Sequence, residues 1–332
     1  GNFGSGLLEL KNRAISENVS YIETQLSTIP TDMNTDDLTK FNSRLRKLAL
    51  IKDEKTLIKS LDSVYNSLLK KEAASYAKDF NTNFVTRLHN DLKIDDSRFT
   101  MRYQNFVLRF MEPVDLFKNL VIAFISADTS PLMAGVNIVS PEDGETSMKD
   151  YWLHMMMFKY CHSKYPNVKY TMHAGELTLG LVQPEELTWH IGAAVHTAGA
   201  NRIGHGVDVA HEKDSYDLLR YMAKKSIPIE INLVSNEFIL KVKDNRHPLT
   251  LYKEFGVPIV ISTDDAGILR TNMTEQYVLL AKRYKDISYR DIKQFVYNSI
   301  NYSFIKDSSV KKQLMNDLDN RFKTFEAKFP IK

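Results

Sequence analysis

Short apolar runs rich in β-branched residues alternate along this chain with longer stretches in which apolar residues recur at helical spacing. The strand candidates are residues 19–24, 100–108, 134–139, 168–172, 202–204, 227–233 and 257–261. Helical patterns fall between them at 114–126, 147–164, 184–197, 213–225 and 249–255, and two or three more helices follow from residue 274. Strands that alternate with helices predict a parallel sheet with βα crossovers. A closed (β/α)8 barrel of the TIM type needs eight strands. Seven are found, so the pattern predicts an α/β barrel whose first βα unit is missing from the chain, with residues 1–332 forming one partial catalytic domain. Between residues 36 and 92, Leu57, Leu61, Tyr65, Leu68 and Leu69 recur at helical spacing. That segment predicts two helices packed over the outside of the barrel. The opening Gly1-Asn2-Phe3-Gly4-Ser5-Gly6 reads as a linker or a cut end.

Composition narrows the function classes. The net charge of +3 and the lack of a basic block argue against a nucleic-acid partner. The longest apolar stretch, 120–127, is far too short to span a bilayer, which argues against a membrane protein. A single cysteine, Cys161, rules out a disulfide framework and leaves the compartment open.

The informative polar residues sit where barrel chemistry is done, at the C-terminal ends of the strands. Ser140, Glu142 and Asp143 follow one strand; His173, Gly175 and Glu176 follow the next. His205, then Ser235 and Asn236, then Asp264 and Asp265 follow the remaining three. Burying such groups side by side is costly unless a metal or a substrate pairs them. Imidazole and carboxylate together suit a borderline metal ion with an acid and a base close by.

Taken as a set, His173-Ala-Gly-Glu176, Arg202-Ile-Gly-His205-Gly, Ser235-Asn236, His247-Pro-Leu249 and Ser262-Thr-Asp264-Asp265 resemble the adenosine deaminase family. The segment Gly135-Val-Asn137-Ile-Val-Ser140-Pro-Glu142-Asp143-Gly144 is most similar to the family's long, growth-factor-like branch. The resemblance runs from about Phe99 to Phe304. It implies zinc-dependent conversion of adenosine or 2′-deoxyadenosine to the inosine product and ammonia. It further implies that His173 and Asp264 bind zinc, and that His205 hydrogen-bonds the attacking water and takes up or orients its proton. Glu176 would protonate N1 of the purine, and Asp265 would bond N7. Gly175 would let the base lie close to the backbone, with the Ser140 N–H near N3. Glu142 and Asp143 would meet the sugar or the base edge, and Asn137 replaces an acidic residue as an outer support.

One feature of the family is absent. Its members carry a His-x-His pair on the first strand, and both histidines bind zinc. None of the nine histidines here is separated from another by one residue. The resemblance therefore implies that two further ligands come from a missing N-terminal segment, with a separate or cleaved fragment of the same protein as one source left open. The alternative is a catalytically incomplete purine nucleoside binder. A homodimer is left open.

The other conspicuous residues have plainer readings. His190 and His196 read as packing or capping residues, and His247, before Pro248, as a helix cap or loop contact. His154 and His162 read as packing or surface residues, Met155, Met156 and Met157 as core filling, and Trp152 and Trp189 as packing. His89 falls on an apparent surface helix. The lysine-rich stretches 52–71 and 306–312 read as solvated faces.

Overall fold

A computed structural model describes residues 3–329. The seven strands are β1 (Tyr21–Ser27), β2 (Thr100–Leu108), β3 (Met133–Val139), β4 (Lys169–Ala174), β5 (Arg202–His205), β6 (Ile229–Ile231) and β7 (Ile259–Ile261). They form one sheet in sequence order, and every neighbouring pair is parallel. This is the TIM-type arrangement left open: β1 and β7 are its two edges, with no pairing between them among the described residues. Among those residues no helix is long and apolar enough to cross a membrane.

Crossover helices cover the sheet, which is why β2 and β3 are buried on both faces; β3 reads as a near-continuous apolar run, whereas β2 also buries Arg102, Gln104 and Asn105. The helix Pro113–Thr129 starts with proline in its first turn, where no N–H is needed. It is apolar almost all round because β2 and β3 lie on one side and the segment from residue 36 to 92 on the other. Met155, Met156 and Met157 are fully buried in the neighbouring helix Tyr151–Lys164 for the same reason.

The outer segment departs from expectation: after a single turn at Asp36–Leu38 it contains three helical stretches rather than two. Lys52 has φ +55° and ends Phe41–Leu50; Asp53 then caps Glu54–Lys70 by accepting from the Thr56 N–H. Glu72, with φ +65°, makes the second break before the stretch that starts at Ala73. His89 is buried in that third stretch, not on the surface, because its Nδ1 meets the Tyr103 hydroxyl on β2 at 2.9 Å. The opening is also helical, from Phe3 to Ser16, rather than a linker. Gly4 packs against Leu88 and Leu92, while Leu7 and Ala14 face the core. Residues 1 and 2 lie outside the described residues.

Two other ends shifted. β6 stops at Ile231, and a helix, Leu233–Leu240, starts at once and carries Ser235 and Asn236. The stretch expected as one helix at 184–197 is helical but broken: a 3-10 turn, Pro184–Thr188, precedes a helix that runs from His190–Gly192 in α geometry into the wider Ala193–Ala198, closed by Gly199 at φ +76°.

The N-terminal half of the barrel interior holds a closed ion cluster. Arg202 on β5 reaches Glu23 on β1 and Glu230 on β6, each at 2.6 Å, and donates to the Tyr302 carbonyl at 3.0 Å. Glu23 also accepts from Gln104, Tyr21 and the Phe304 N–H, and Glu230 accepts from Thr171. Burial opposes ionisation of Glu23, but Arg202 holds its carboxyl below the ordinary value.

Candidate active site

At the opposite end the strands deliver their polar residues to one place. The β4–β5 register sets His173 against Gly204 and Ala174 against His205. Three of the non-glycine residues with positive φ stand at these strand ends: Ser140 (+87°), His205 (+70°) and Asp264 (+54°). Such backbone costs about 1–3 kcal/mol per residue and collects at functional sites.

His173, His205 and Asp264 bring one donor atom each within 4.8 Å of one another. The two imidazole rings are 5.0 Å apart, and His205 Nε2 is 3.8 Å from Asp264 Oδ2. Ser235 fixes that carboxylate by donating to Oδ2 at 2.6 Å. Burial, reinforced by the neighbouring His205, pulls His173 down to about 3, so its ring is neutral and has a lone pair to offer. The neutral His173 nitrogen and the Asp264 carboxylate oxygen are donor types that zinc takes, and these two residues fit such an ion with His205 beside it.

Glu176 lies beside this trio, with Oε1 3.6 Å from His205 Nδ1. Burial raises its pKa, and the nearby Asp264 and Glu142 carboxylates add to the effect, against an opposing pull from His205. The site therefore favours the protonated acid at Glu176. Asp265 is exposed at the rim, and its pKa is also raised, by burial of its carboxyl and then by Asp264. Ser140 is half-buried, and Asp143 is exposed.

Glu142, expected at the sugar or base edge, is buried beneath the loop that follows β4. Its Oε1 accepts from the Gly175 N–H at 3.0 Å, and its Oε2 accepts from the Glu176 N–H at 2.8 Å. His190 Nδ1 lies 2.7 Å from Oε1. Burial alone would raise this carboxyl, but His190, the Arg109 charge and the Gly175 N–H hold it down at about 2. Glu142 thus clamps the backbone that carries Glu176. Gly175 has φ +72°, and a Cβ there would come within 2.4 Å of Asp208 Oδ1 and 2.6 Å of Ile191 Cδ1. Packing therefore requires glycine at this position.

Sequence reasoning missed several residues of this site. Arg109, fully buried at the end of β2, donates to the His173 carbonyl and lies 5.4 Å from the Tyr151 ring centroid. His190, read as packing or capping, stacks on Tyr151 and braces Glu142. The Asp208 carboxylate is buried without a hydrogen-bond partner among the described residues, and burial, then Glu142 and Glu212, pushes its pKa well up. For Arg109 the available signal was its place directly after a strand.

Residues 100–321 match the family model described as adenosine deaminase. The adenosine deaminase of Shewanella halifaxensis is 29% identical over 165 residues, covering 47% of this chain and 46% of the relative. That of Clostridium kluyveri is 29% identical over 143 residues, covering 43% and 38%. The chain spans less than half the length of these relatives. Among solved structures, the adenine deaminase of Arthrobacter aurescens superposes with a TM-score of 0.62 at 16% identity, over 97% of this chain and 80% of that one. The N6-methyl-AMP deaminase of Arabidopsis thaliana gives 0.56 at 18% identity, over 93% and 98%. At such identities the likeness is one of fold.

Proposed function

The chain belongs to the adenosine deaminase family, and from that premise we propose that it hydrolyses the 6-amino group of a purine nucleoside, adenosine or 2′-deoxyadenosine, releasing ammonia. The observation that carries this reading is the convergence of His173, His205 and Asp264 beside a carboxylic acid, Glu176, whose surroundings favour its protonated form.

In this proposal His173 and Asp264 hold zinc. When bound, zinc supplies the Lewis acidity that brings the pKa of a water from about 15.7 towards 7. Glu176 gives its proton to N1, which makes C6 electrophilic. His205 hydrogen-bonds the water that attacks C6. The C6–O bond forms, one water proton passes to the amine and the other returns to Glu176, the C6–N6 bond breaks, and the amine departs as ammonia to leave the 6-oxopurine protonated at N1. Asp265 bonds N7 from the rim, and the Ser140 N–H meets the base near N3. Asp143 meets the sugar, while Glu142 serves the site from below by holding Gly175 and Glu176 in place.

Two more histidine ligands are proposed to arrive on a strand seated between β1 and β7, supplied by a segment of the same protein outside residues 1–332. Two features support this: both edges are unpaired among the described residues, and a strand beside β7 would end next to Asp264. The test is ammonia release from adenosine, AMP and adenine by the zinc-supplemented full-length protein. Release from adenosine ahead of the other two supports the proposal, and preference for AMP or adenine would reassign the substrate.

A further inference from the structure

The two site histidines each meet a hydrogen-bond chain that leads away from the site, and each chain has an unambiguous origin. The first begins at a backbone donor. The Leu249 N–H donates to His247 Nδ1 at 3.2 Å, so that nitrogen carries no proton. The proton of the His247 ring therefore sits on Nε2, which lies 3.0 Å from Asn236 Oδ1 and donates to it. That orients the Asn236 amide, whose Nδ2 donates to His205 Nδ1 at 3.0 Å. Asn232 Nδ2 faces the same nitrogen at 3.3 Å. With Nδ1 accepting, the ring proton of His205 must sit on Nε2, the atom that faces Asp264.

The second chain begins at a carboxylate. Glu23 is kept ionised by Arg202 and can only accept, so Gln104 must turn its Nε2 towards it, at 2.8 Å. The Gln104 oxygen then faces Asn137 Nδ2 at 3.3 Å. This leaves Asn137 Oδ1 to accept from the Ile138 N–H at 2.8 Å and from His173 Nδ1 at 3.1 Å. An acceptor at that position requires the proton of His173 on Nδ1, which leaves the Nε2 lone pair free.

We infer that these chains impose opposite tautomers on the two histidines, with Asn137 and Gln104 as positioning residues for His173 and Asn236 and His247 as positioning residues for His205. The inference rests on the proposed deaminase site and deepens it. Of the two imidazoles, His173 is the one prepared to ligate a metal through Nε2. His205 presents an N–H to the same space, so it orients the water as a donor and is not a ligand. Outer partners of metal-binding histidines commonly set tautomer and ring orientation in this way.

Long-range proton–nitrogen NMR of the protein with 15N-labelled histidine tests this directly, before and after zinc is added. The expected result is protonated Nδ1 on His173 and protonated Nε2 on His205. The reverse assignment on either ring overturns the inference. Asn236→Asp replaces a donor with an acceptor of the same shape and should move the His205 proton to Nδ1. It should lower kcat by at least about 100-fold with KM little changed, because a wrong tautomer in a comparable catalytic histidine costs about 10⁴. An unchanged His205 spectrum in a folded Asn236→Asp protein overturns the inference. His247→Gln retains a side-chain amide donor for Asn236 and should keep the wild-type spectrum, whereas His247→Leu should lose it. If His247→Leu also keeps that spectrum, His247 is not a positioning residue. The expected tautomers in a protein that deaminates no purine would sink the functional reading and leave this inference standing. Deamination with His205 protonated on Nδ1 would do the opposite.

Discussion

Both ends of the barrel interior are polar, but they handle burial in different ways. In the N-terminal half, Arg202, Glu23, Glu230, Gln104 and Thr171 are paired with one another and with the Tyr302 and Phe304 backbone. One guanidinium bridges two carboxylates, and Arg202 and Glu230 lie on strands with no positive φ at either position. At the C-terminal end like groups face each other. His173 stands against His205, and Glu176 is near Asp264 and Glu142. The Asp208 carboxylate has no hydrogen-bond partner among the described residues, and His205 and Asp264 hold positive φ. Polar groups that satisfy one another hold strands together. Polar groups left facing one another, on a strained backbone, are arranged for something that is not a side chain.

Substitutions at the two ends should separate these roles. The largest effect is expected from Asp264→Ala, which should abolish bound zinc and activity together while the protein stays folded. Metal analysis by mass spectrometry checks this, and a variant with stoichiometric zinc would misplace the ligand. Glu176→Gln should lower turnover by about 10²–10⁴-fold with zinc retained, because it removes a proton donor and little else. Near-normal activity would refute the role. At the other end, Arg202→Leu should cost about 3–5 kcal/mol in urea unfolding, since it strands the Glu23 and Glu230 carboxylates. Its zinc content should remain that of the wild type wherever the protein is folded.

The smallest effect concerns Asp208. Its folded-state pKa is raised, so the native protein binds a proton there that the unfolded chain gives up above about pH 4. The associated stability is complete below that pH and is lost as pH rises through the folded value. Asp208→Asn cannot ionise and should therefore gain thermal stability over wild type at pH 8 relative to pH 4. An equal difference at both pH values would show that the carboxyl is not held protonated.

Strands such as β3 were legible because burial on both faces leaves an apolar run, and β2 was bounded correctly at residues 100–108 although it carries Arg102, Gln104 and Asn105. His173, Glu176, His205 and Asp264 were legible because a polar residue directly after such a run has little structural reason to be there. The supporting residues were not. Arg109 meets His173 across 64 positions, and His190 meets Glu142 across 48. His247 resembles a helix cap until Asn236 is seen between it and His205. Nothing local distinguishes such residues from packing. The helix Phe3–Ser16 was hidden by its glycines, Gly4 and Gly6.

The most direct test of the central claim, that the C-terminal strand ends form a purine deaminase site, is ammonia release from adenosine by the zinc-loaded full-length protein, compared with its Glu176→Gln variant. Release by the wild type that disappears in a variant with equal zinc content is the predicted result. Equal release by both proteins, or none by either at full zinc occupancy, would contradict it.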